Sequence, residues 1–168
     1  QLNIGARGLS PNRTSNFTVS QIGYDISAVA LGYPDSYYTP PLEAFDRIEV
    51  IRGASSLQYG PQFGGMINFV FKEGPRDKNL EVTARLTGGS YGFFNSFTSV
   101  GGTVGDVHYY TFFQRKQGDG WRANSNFTSN TAFAAVHYHP IKDMELKLEY
   151  TGLQYQAQQP GGLTDAMF

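Results

Sequence analysis

The sequence predicts a mainly β protein in which a small α+β domain precedes about five strands of a transmembrane antiparallel β-barrel. The first observation is a pair of β-prone runs joined by a glycine-rich turn between 45 and 71. The second is a change in composition across the charged stretch 72–79, which contains Gly and Pro. The third is the alternation of apolar and polar residues that begins at Leu80. Period-two alternation is typical of strands that bury one face.

The composition narrows the classes of protein to which the chain can belong. It has 168 residues, a formal net charge of −1 and no cysteine. The balanced charge gives no sign of nucleic-acid binding, and the lack of cysteine excludes a disulfide or a thiolate metal site. No apolar run reaches the roughly 18 residues that a transmembrane helix requires. A barrel strand needs only about 9–11 alternating residues, so a membrane location is not excluded.

The first 75 residues are expected to contain short strands and ordered loops. A short strand is predicted at 17–19 and a single helical turn at 42–46. A strand at 47–52 and a returning strand at 66–71 flank a turn that contains four glycines and one proline. Such a pattern favours a strand, a tight excursion and an antiparallel return. The alternative is an ordinary hairpin in a soluble β domain.

Beyond the charged stretch, long strands are predicted with connections that alternate in length. The strands are expected at 80–87, 93–104, 107–117, 131–139 and 144–155. The connections at 105–106 and 140–143 are short, whereas 118–130 is long and polar. Outer-membrane barrels have short periplasmic turns and longer extracellular loops. The alternation therefore predicts that 118–130 faces outward, although a half-buried soluble sheet would show the same period.

The alternation also predicts which side chains share a face. Leu146, Leu148 and Tyr150 alternate with charged residues and are expected to face lipid. Phe112 and Phe113 are adjacent, so one of the two must point the other way, toward the lumen or its contents.

No catalytic constellation is present in the sequence. His137 and His139 are two residues apart on one predicted strand and therefore share a face. A pair of histidines can bind a metal, but no carboxylate lies near them in the sequence. A lumen-facing polar pair is the favoured interpretation, and no metal site is predicted.

The glycine-rich stretch resembles the plug-domain signature of TonB-dependent outer-membrane receptors. The matching segments are IEVIRG at 48–53, Tyr-Gly at 59–60 and GGMIN at 64–68, in the order and spacing of that family. The segment 4–9 resembles an earlier part of the same signature. One departure is at 21–25, where QIGYD replaces the usual Val-Asp-Gly turn.

The resemblance implies a plug domain at 1–75 that lies inside a barrel of 22 strands, with the first barrel strands at 76–168. It also implies that the chain is an internal fragment, without the N-terminal part of the plug and the C-terminal part of the barrel. The implied location is the outer membrane of a Gram-negative bacterium. The implied activity is import, not enzymatic catalysis, driven by the TonB–ExbB–ExbD complex through an N-terminal box missing here. No cofactor is expected, and iron enters only as part of a transported chelate.

Trp121-Arg122 and the segment 160–163 most resemble ferric-citrate-type iron receptors within this family. That likeness implies a ferric siderophore or ferric citrate as the solute. The alternatives are an importer of vitamin B12, a glycan or a peptide, and a receptor or adhesion barrel that does not transport. A soluble β-sandwich binding protein is a third class.

The resemblance also assigns roles to individual residues. Arg7 and Arg52 match arginines that seat the plug by pairing with barrel-wall glutamates, and each is expected to be buried; the alternative is that they are surface arginines. The outward loops at 11–16, 31–39, 57–63 and 118–130 would face the ligand. The ligand-binding candidates there are Arg13, Asn16, Tyr33, Tyr37, Tyr38, Gln58, Tyr59, Gln62, Trp121 and Arg122. The alternative for the tyrosines is packing against the barrel wall.

Overall fold

A computed structural model describes residues 17–26, 38–53, 58–60, 62, 64–141 and 143–159. The chain divides into two compact units, Gln1–Lys72 and Glu73–Phe168. No helix in the described residues is long and apolar enough to cross a membrane.

The first unit contains a four-stranded mixed sheet in the order β2-β1-β4-β3. Its strands are β1 (Phe17–Gln21), β2 (Tyr24–Asp25), β3 (Phe45–Ile51) and β4 (Gly65–Phe71), and a 3-10 turn, Leu42–Ala44, precedes β3. The antiparallel pairing of β3 with β4 confirms the predicted return of the chain. The parallel pairing of β1 with β4 was not predicted, because it joins segments far apart in the sequence.

The packing of β4 explains its apolar sequence. The ring of Phe45 stacks on Phe69 with centroids 4.9 Å apart and on Phe71 at 5.9 Å. At the start of the strand, Gly65 has a φ of 130°. A Cβ at this position would lie 2.5 Å from the carbonyl oxygen of Ile51. Only glycine tolerates both the backbone angle and this close approach of β3.

A two-residue turn joins β1 to β2 where the sequence departs from the family signature. Gln21 pairs with Tyr24, and between them Ile22 and Gly23 have φ values of 50° and 89°. Two successive positive φ angles are typical of the type I′ hairpin turn, which favours Asn-Gly. A β-branched residue in this conformation is strained.

We expect Ile22→Asn to stabilise the first unit by about 1 kcal/mol, because asparagine adopts this left-handed conformation more readily. Slower hydrogen–deuterium exchange of the β1 amides would report the gain. Ile22→Val is the matched control, since valine is also β-branched and retains the strain. Equal exchange rates in the two variants would contradict the prediction.

The second unit is a five-stranded antiparallel sheet in sequence order, which confirms the predicted meander. Its strands are β5 (Glu81–Gly88), β6 (Phe94–Val104), β7 (Val107–Gly118), β8 (Phe127–Ile141) and β9 (Met144–Ala157). The predicted start of β8 at 131 was wrong. Phe127 to Asn130 already pair with Gly118 to Arg115 of β7, so the intervening loop shortens to 119–126. The alternation of short and long connections is retained.

The two faces of this sheet differ in burial. Phe97, Phe112 and Phe133 line the buried face, with centroids 5.5 Å apart for Phe97–Phe112 and 5.4 Å for Phe112–Phe133. Phe112 is 2% exposed and Phe113 is 52% exposed. The prediction that these neighbours point in opposite directions is therefore confirmed. Leu148 lies on the exposed face with Phe113, as the alternation predicted.

The exposed face can be described as rungs, each rung being the residues paired side by side across neighbouring strands. From the short-turn end, the six rungs are Val104–Val107–Tyr138–Leu146; Gly102–Tyr109–Val136–Leu148; Val82–Val100–Thr111–Ala134–Tyr150; Ala84–Thr98–Phe113–Ala132–Gly152; Leu86–Ser96–Arg115–Asn130–Gln154; and Phe94–Gln117–Thr128–Gln156. On β7, β8 and β9, the first four rungs carry no charged or amide side chain, and the fifth and sixth are polar.

Candidate functional site

Five of the twelve predicted site residues lie outside the described residues: Arg7, Arg13, Asn16, Tyr33 and Tyr37. The other seven can be located in one of the two units.

The expected burial of Arg52 is not observed. Arg52 is exposed and directly follows β3. The β3–β4 pairing ends at Ile51 and Met66, so Arg52 extends beyond the packed part of the sheet. Its plug-seating role remains a proposal.

Tyr38 is half-buried in the first unit. Burial raises the pKa of its phenol above the ordinary value, and the nearby Tyr24 raises it further. Gln21 donates a hydrogen bond from Nε2 to the Tyr24 hydroxyl. Tyr38 therefore stays neutral at physiological pH, and its hydroxyl oxygen is buried, so the structure does not present it at the surface.

The turn between β3 and β4 carries three candidates in different environments. Gln58 is exposed and Tyr59 is 46% exposed, so both can be reached from solvent. The side chain of Gln62 instead accepts a hydrogen bond from Thr18 Oγ1 at 2.8 Å. Gln62 thus ties the turn to β1, which is a structural contact and does not by itself present the amide to a ligand.

A polar network that joins the β1–β2 turn to β4 and β3 was not predicted from the sequence. Asn68 Nδ2 donates to Glu49 Oε2 at 2.9 Å, and Asn68 Oδ1 accepts from the Gly23 backbone N–H at 3.0 Å. Arg47 pairs with Glu49 at 2.9 Å and with Asp46 at 2.9 Å. The feature of the sequence that could have indicated this network is Asn68, the asparagine that ends the GGMIN segment. Its amide fixes the β1–β2 turn against the sheet.

Hydrogen bonds from Asn68 and then Arg47 hold the pKa of the Glu49 carboxyl below its ordinary value. A depressed carboxyl pKa stabilises the folded state above the unfolded pKa, and this stability is lost as pH falls through the folded pKa. The Glu49→Gln variant has no carboxyl to protonate at this position. We therefore expect it to lose less stability than the native protein when the pH falls below about 4.5. Hydrogen exchange of the β4 amides across pH 6 to 3 is the measurement. Parallel pH profiles for both proteins would contradict the prediction.

The loop at 119–126 presents the two barrel candidates. Trp121 is 70% exposed, and the Arg122 guanidinium carbon lies 4.4 Å from the centre of its ring. Ser125 Oγ donates to the backbone carbonyls of Asp119 and Arg122, which closes the loop. The cation–π contact directs the Arg122 charge toward Trp121. The structure therefore brings Trp121 and Arg122 together as one exposed aromatic and cationic pair.

A cavity of about 370 Å³ lies at the same end of the sheet, between the ends of β7, β8 and β9. It is lined by Gln117, Gly118, Asp119, Asn126, Phe127, Thr128, Gln156, Ala157 and Gln158. The residues that line it come from the ends of three strands, and they lie side by side only because of the register in which those strands pair. That dispersal explains why sequence reasoning did not identify it.

The opposite end of the sheet gathers the three histidines of the chain. His137 is buried, and its Nδ1 lies 2.9 Å from Glu145 Oε1, while His139 Nε2 is 3.7 Å from the same oxygen. The rings of His108 and His139 meet edge to face at 5.4 Å. The sequence analysis found no carboxylate near the two histidines in the sequence. In the structure, Glu145 of β9 lies beside both of them. In the described part of the chain, no three His, Cys, Asp or Glu side chains are arranged to hold a metal ion.

Comparison with known proteins gave matches to individual proteins, while no protein-family model matches the chain. The vitamin B12 transporter BtuB of Photobacterium profundum is 31% identical over 137 residues, which are 76% of this chain and 22% of that protein. The chain thus spans about a fifth of the length of this curated relative.

Solved structures resemble the fold at lower sequence identity. The pyoverdine outer-membrane receptor FpvA of Pseudomonas aeruginosa PAO1 superposes with a TM-score of 0.71 at 20% identity, over 88% of this chain and 21% of that chain. The copper transporter OprC gives a TM-score of 0.69 at 22% identity, over 86% of this chain and 24% of that chain. These likenesses support the fold: a mixed sheet followed by an antiparallel sheet.

Proposed function

This chain belongs to the TonB-dependent outer-membrane receptor family of the Gram-negative outer membrane, a family of transporters and not of enzymes, and we propose that it serves the active import of a scarce solute. The observation that carries the proposal is the pairing of β3 and β4, which holds the signature segments in the mixed sheet that precedes the antiparallel strands. The proposed energy source is the TonB–ExbB–ExbD complex, acting through an N-terminal box of the receptor.

The proposed solute is a ferric siderophore or ferric citrate. The likeness to the pyoverdine receptor supports a ferric siderophore, and the Trp121-Arg122 pair supplies an exposed aromatic surface and a cation. Vitamin B12 is a second candidate, favoured by the 31% identity to a vitamin B12 transporter. The remaining alternative is a receptor that binds without transporting.

Within this function, we propose residues 1–75 as the plug and 76–168 as the start of the barrel. Arg7 and Arg52 are proposed to seat the plug against acidic barrel residues, as the matching arginines of the family signature imply. The proposed ligand surface includes Tyr59 and Arg122. Gln62 is its least favourable member because its amide oxygen already accepts a hydrogen bond from Thr18.

Uptake by cells that produce the full-length receptor tests the proposal. Cells are given ⁵⁵Fe-labelled siderophores, ⁵⁵Fe-citrate or ⁵⁷Co-labelled vitamin B12, each with TonB present or deleted. We expect TonB-dependent accumulation of one solute class. Binding at the surface without accumulation in either background would favour the non-transporting receptor. Accumulation of vitamin B12 alone would replace the iron assignment and leave the import function in place.

A further inference from the structure

Residues 74–79, which lead from the first unit into β5, are bound to the short-turn end of β6, and we call them the strap. The Thr103 backbone N–H donates to the carbonyl oxygen of Lys78 at 2.9 Å. The Thr103 hydroxyl donates to the carbonyl oxygen of Pro75 at 2.9 Å. Two carbonyl groups of the strap, three residues apart, are therefore held by one residue of β6.

Two glycines of β6 let the strap approach this strand from both faces of the sheet. A Cβ at Gly101, on the buried face, would lie 3.1 Å from the Cα of Gly74. A Cβ at Gly102, on the exposed face, would overlap the carbonyl oxygen of Asn79. The same oxygen accepts a hydrogen bond from the Tyr109 hydroxyl at 2.8 Å. The strap thus begins on one face of β6 and ends on the other, and a side chain at either glycine would push it away.

The Thr103 hydroxyl also contacts the ring of His108, and its single proton decides which nitrogen of that ring is protonated. Thr103 Oγ1 lies 2.7 Å from His108 Nδ1. The hydroxyl uses its proton in the bond to Pro75, because a carbonyl oxygen can only accept. Thr103 Oγ1 must therefore accept from His108, so the His108 ring carries a proton on Nδ1. This bond turns the hydroxyl proton toward the strap.

The ring of His108 is itself held from the neighbouring strands. It meets the ring of His139 edge to face, with the centroids 5.4 Å apart. The His139 backbone N–H donates to the Asp106 carbonyl oxygen at 3.0 Å, and its Nε2 lies 3.7 Å from Glu145 Oε1. Through Thr103 and His108, the strap is therefore connected to β8 and β9 as well as to β6.

The chain is equally fixed on the other side of the boundary between the two units. Lys72 ends the first unit. Its backbone N–H donates to the carbonyl oxygen of Ala44 at 3.0 Å, and its ammonium donates to that of Glu43 at 2.9 Å. Gly74, the first residue of the strap, has a φ of 87°, and a Cβ there would lie 2.5 Å from a backbone oxygen of β7. Only Glu73 lies between these two bound positions.

We propose that Thr103, oriented by His108, is a positioning residue that holds the strap on β6 and thereby confines the hinge between the two units to Glu73. One residue has two rotatable backbone angles and spans at most about 3.6 Å. A larger displacement of the first unit must break the bonds of Lys72 or those of the strap. The use of this hinge in import rests on the proposed function, whereas the strap itself does not depend on it.

The test measures hydrogen–deuterium exchange of the residue-103 amide, which the Lys78 carbonyl protects, in the purified full-length receptor in detergent. Single residues are resolved by mass spectrometry with electron-transfer fragmentation, and each rate is corrected for the intrinsic rate of the residue type. Thr103→Val keeps the size of the side chain and removes its hydroxyl. We expect its residue-103 amide to exchange about tenfold faster, because the strap opens more often without this hydrogen bond. The Phe112 amide, in the middle of β7, should keep its native rate.

Thr103→Ser retains the hydroxyl and should exchange within about threefold of the native protein. Thr111→Val is the matched control, because it removes a hydroxyl that donates to the Phe133 carbonyl oxygen at 2.7 Å on the same sheet, away from the strap. It should leave the residue-103 amide unchanged. If Thr103→Val does not fold, His108→Leu is the second variant, and it should speed exchange at residue 103 by about threefold or more.

The tautomer of His108 is a separate readout. ¹⁵N NMR of the histidine-labelled receptor, with the spectrum of His108→Gln to assign the signal, should show the neutral ring with its proton on Nδ1. A proton on Nε2 would overturn the role of His108. A native rate at residue 103 in Thr103→Val, an equal rise at Phe112, or an equal effect of Thr111→Val would overturn the role of Thr103. These measurements use neither a solute nor TonB, so a failure of the proposed import would leave them unchanged.

Discussion

Replacing Phe112 by Ala should lower the free energy of unfolding by about 3–5 kcal/mol, the range for removing a buried aromatic ring. The Phe112 side chain is 2% exposed and lies between Phe97 and Phe133. Its loss would leave a cavity that rigid strands cannot close and would remove two ring contacts. Urea unfolding in detergent micelles, followed by the loss of the β-sheet signal in far-UV circular dichroism, is the measurement.

Phe113→Ala provides the matched control, with the same chemical change one residue away. Phe113 is 52% exposed on the opposite face, so its removal opens no buried cavity. We expect a clearly smaller loss of stability. Similar losses for the two variants would contradict the assignment of the buried and exposed faces.

Gly65→Ala should destabilise the first unit by at least about 2 kcal/mol, because two penalties act at one position. The φ of 130° is unfavourable for any residue with a Cβ, and that Cβ would lie 2.5 Å from the Ile51 carbonyl oxygen. Relief requires β3 to move away from β4 next to their last pair, Ile51 and Met66. Hydrogen–deuterium exchange of the Met66 and Ile67 amides should become faster.

Gly53→Ala separates the two penalties. Gly53 also has a positive φ, 80°, but no atom lies within 4 Å of an added Cβ. Its substitution should cost only the backbone strain of about 1–2 kcal/mol. If Gly53→Ala destabilises the protein as much as Gly65→Ala, the close approach of β3 to Gly65 is not the decisive constraint.

The antiparallel sheet could be predicted from the sequence because its contacts are local. Each of β5–β9 pairs with its neighbour in the chain, and the alternation of apolar residues identifies the faces. The parallel pairing of β1 with β4 joins Phe17 to Gly65 and leaves no such local pattern. Similarly, the start of β8 pairs residue by residue with β7 from Phe127 onward, where the sequence is too polar to indicate a strand.

The candidate site was harder to predict for a related reason. Arg52 was expected to be buried because of its place in a family signature, yet the pairing of β3 ends one residue earlier. The cavity and the contact between His137 and Glu145 depend on register between strands, which sequence spacing does not reveal. Exposed loop residues such as Trp121 and Tyr59 were easier to identify, because turn composition alone places them at the surface.

The rungs of the exposed face carry a further consequence, concerning the inclination of the strands. On β5 the last apolar side chain is Leu86, in the fifth rung, whereas on β9 it is Tyr150, in the third. The apolar boundary thus shifts by about 13 Å along the strands over about 19 Å across them, a slope of about 35°. The hydrocarbon boundary of a membrane is flat, so we expect the strands to tilt by about this angle from the membrane normal, with Phe94 of β6, in the sixth rung, lying beyond the line that joins Leu86 and Tyr150. Outer-membrane barrels have tilts of about 35–45°, and closure links tilt, strand stagger and diameter. The distribution of polar side chains on β5 and β9 therefore already indicates the strand stagger that a closed barrel would need.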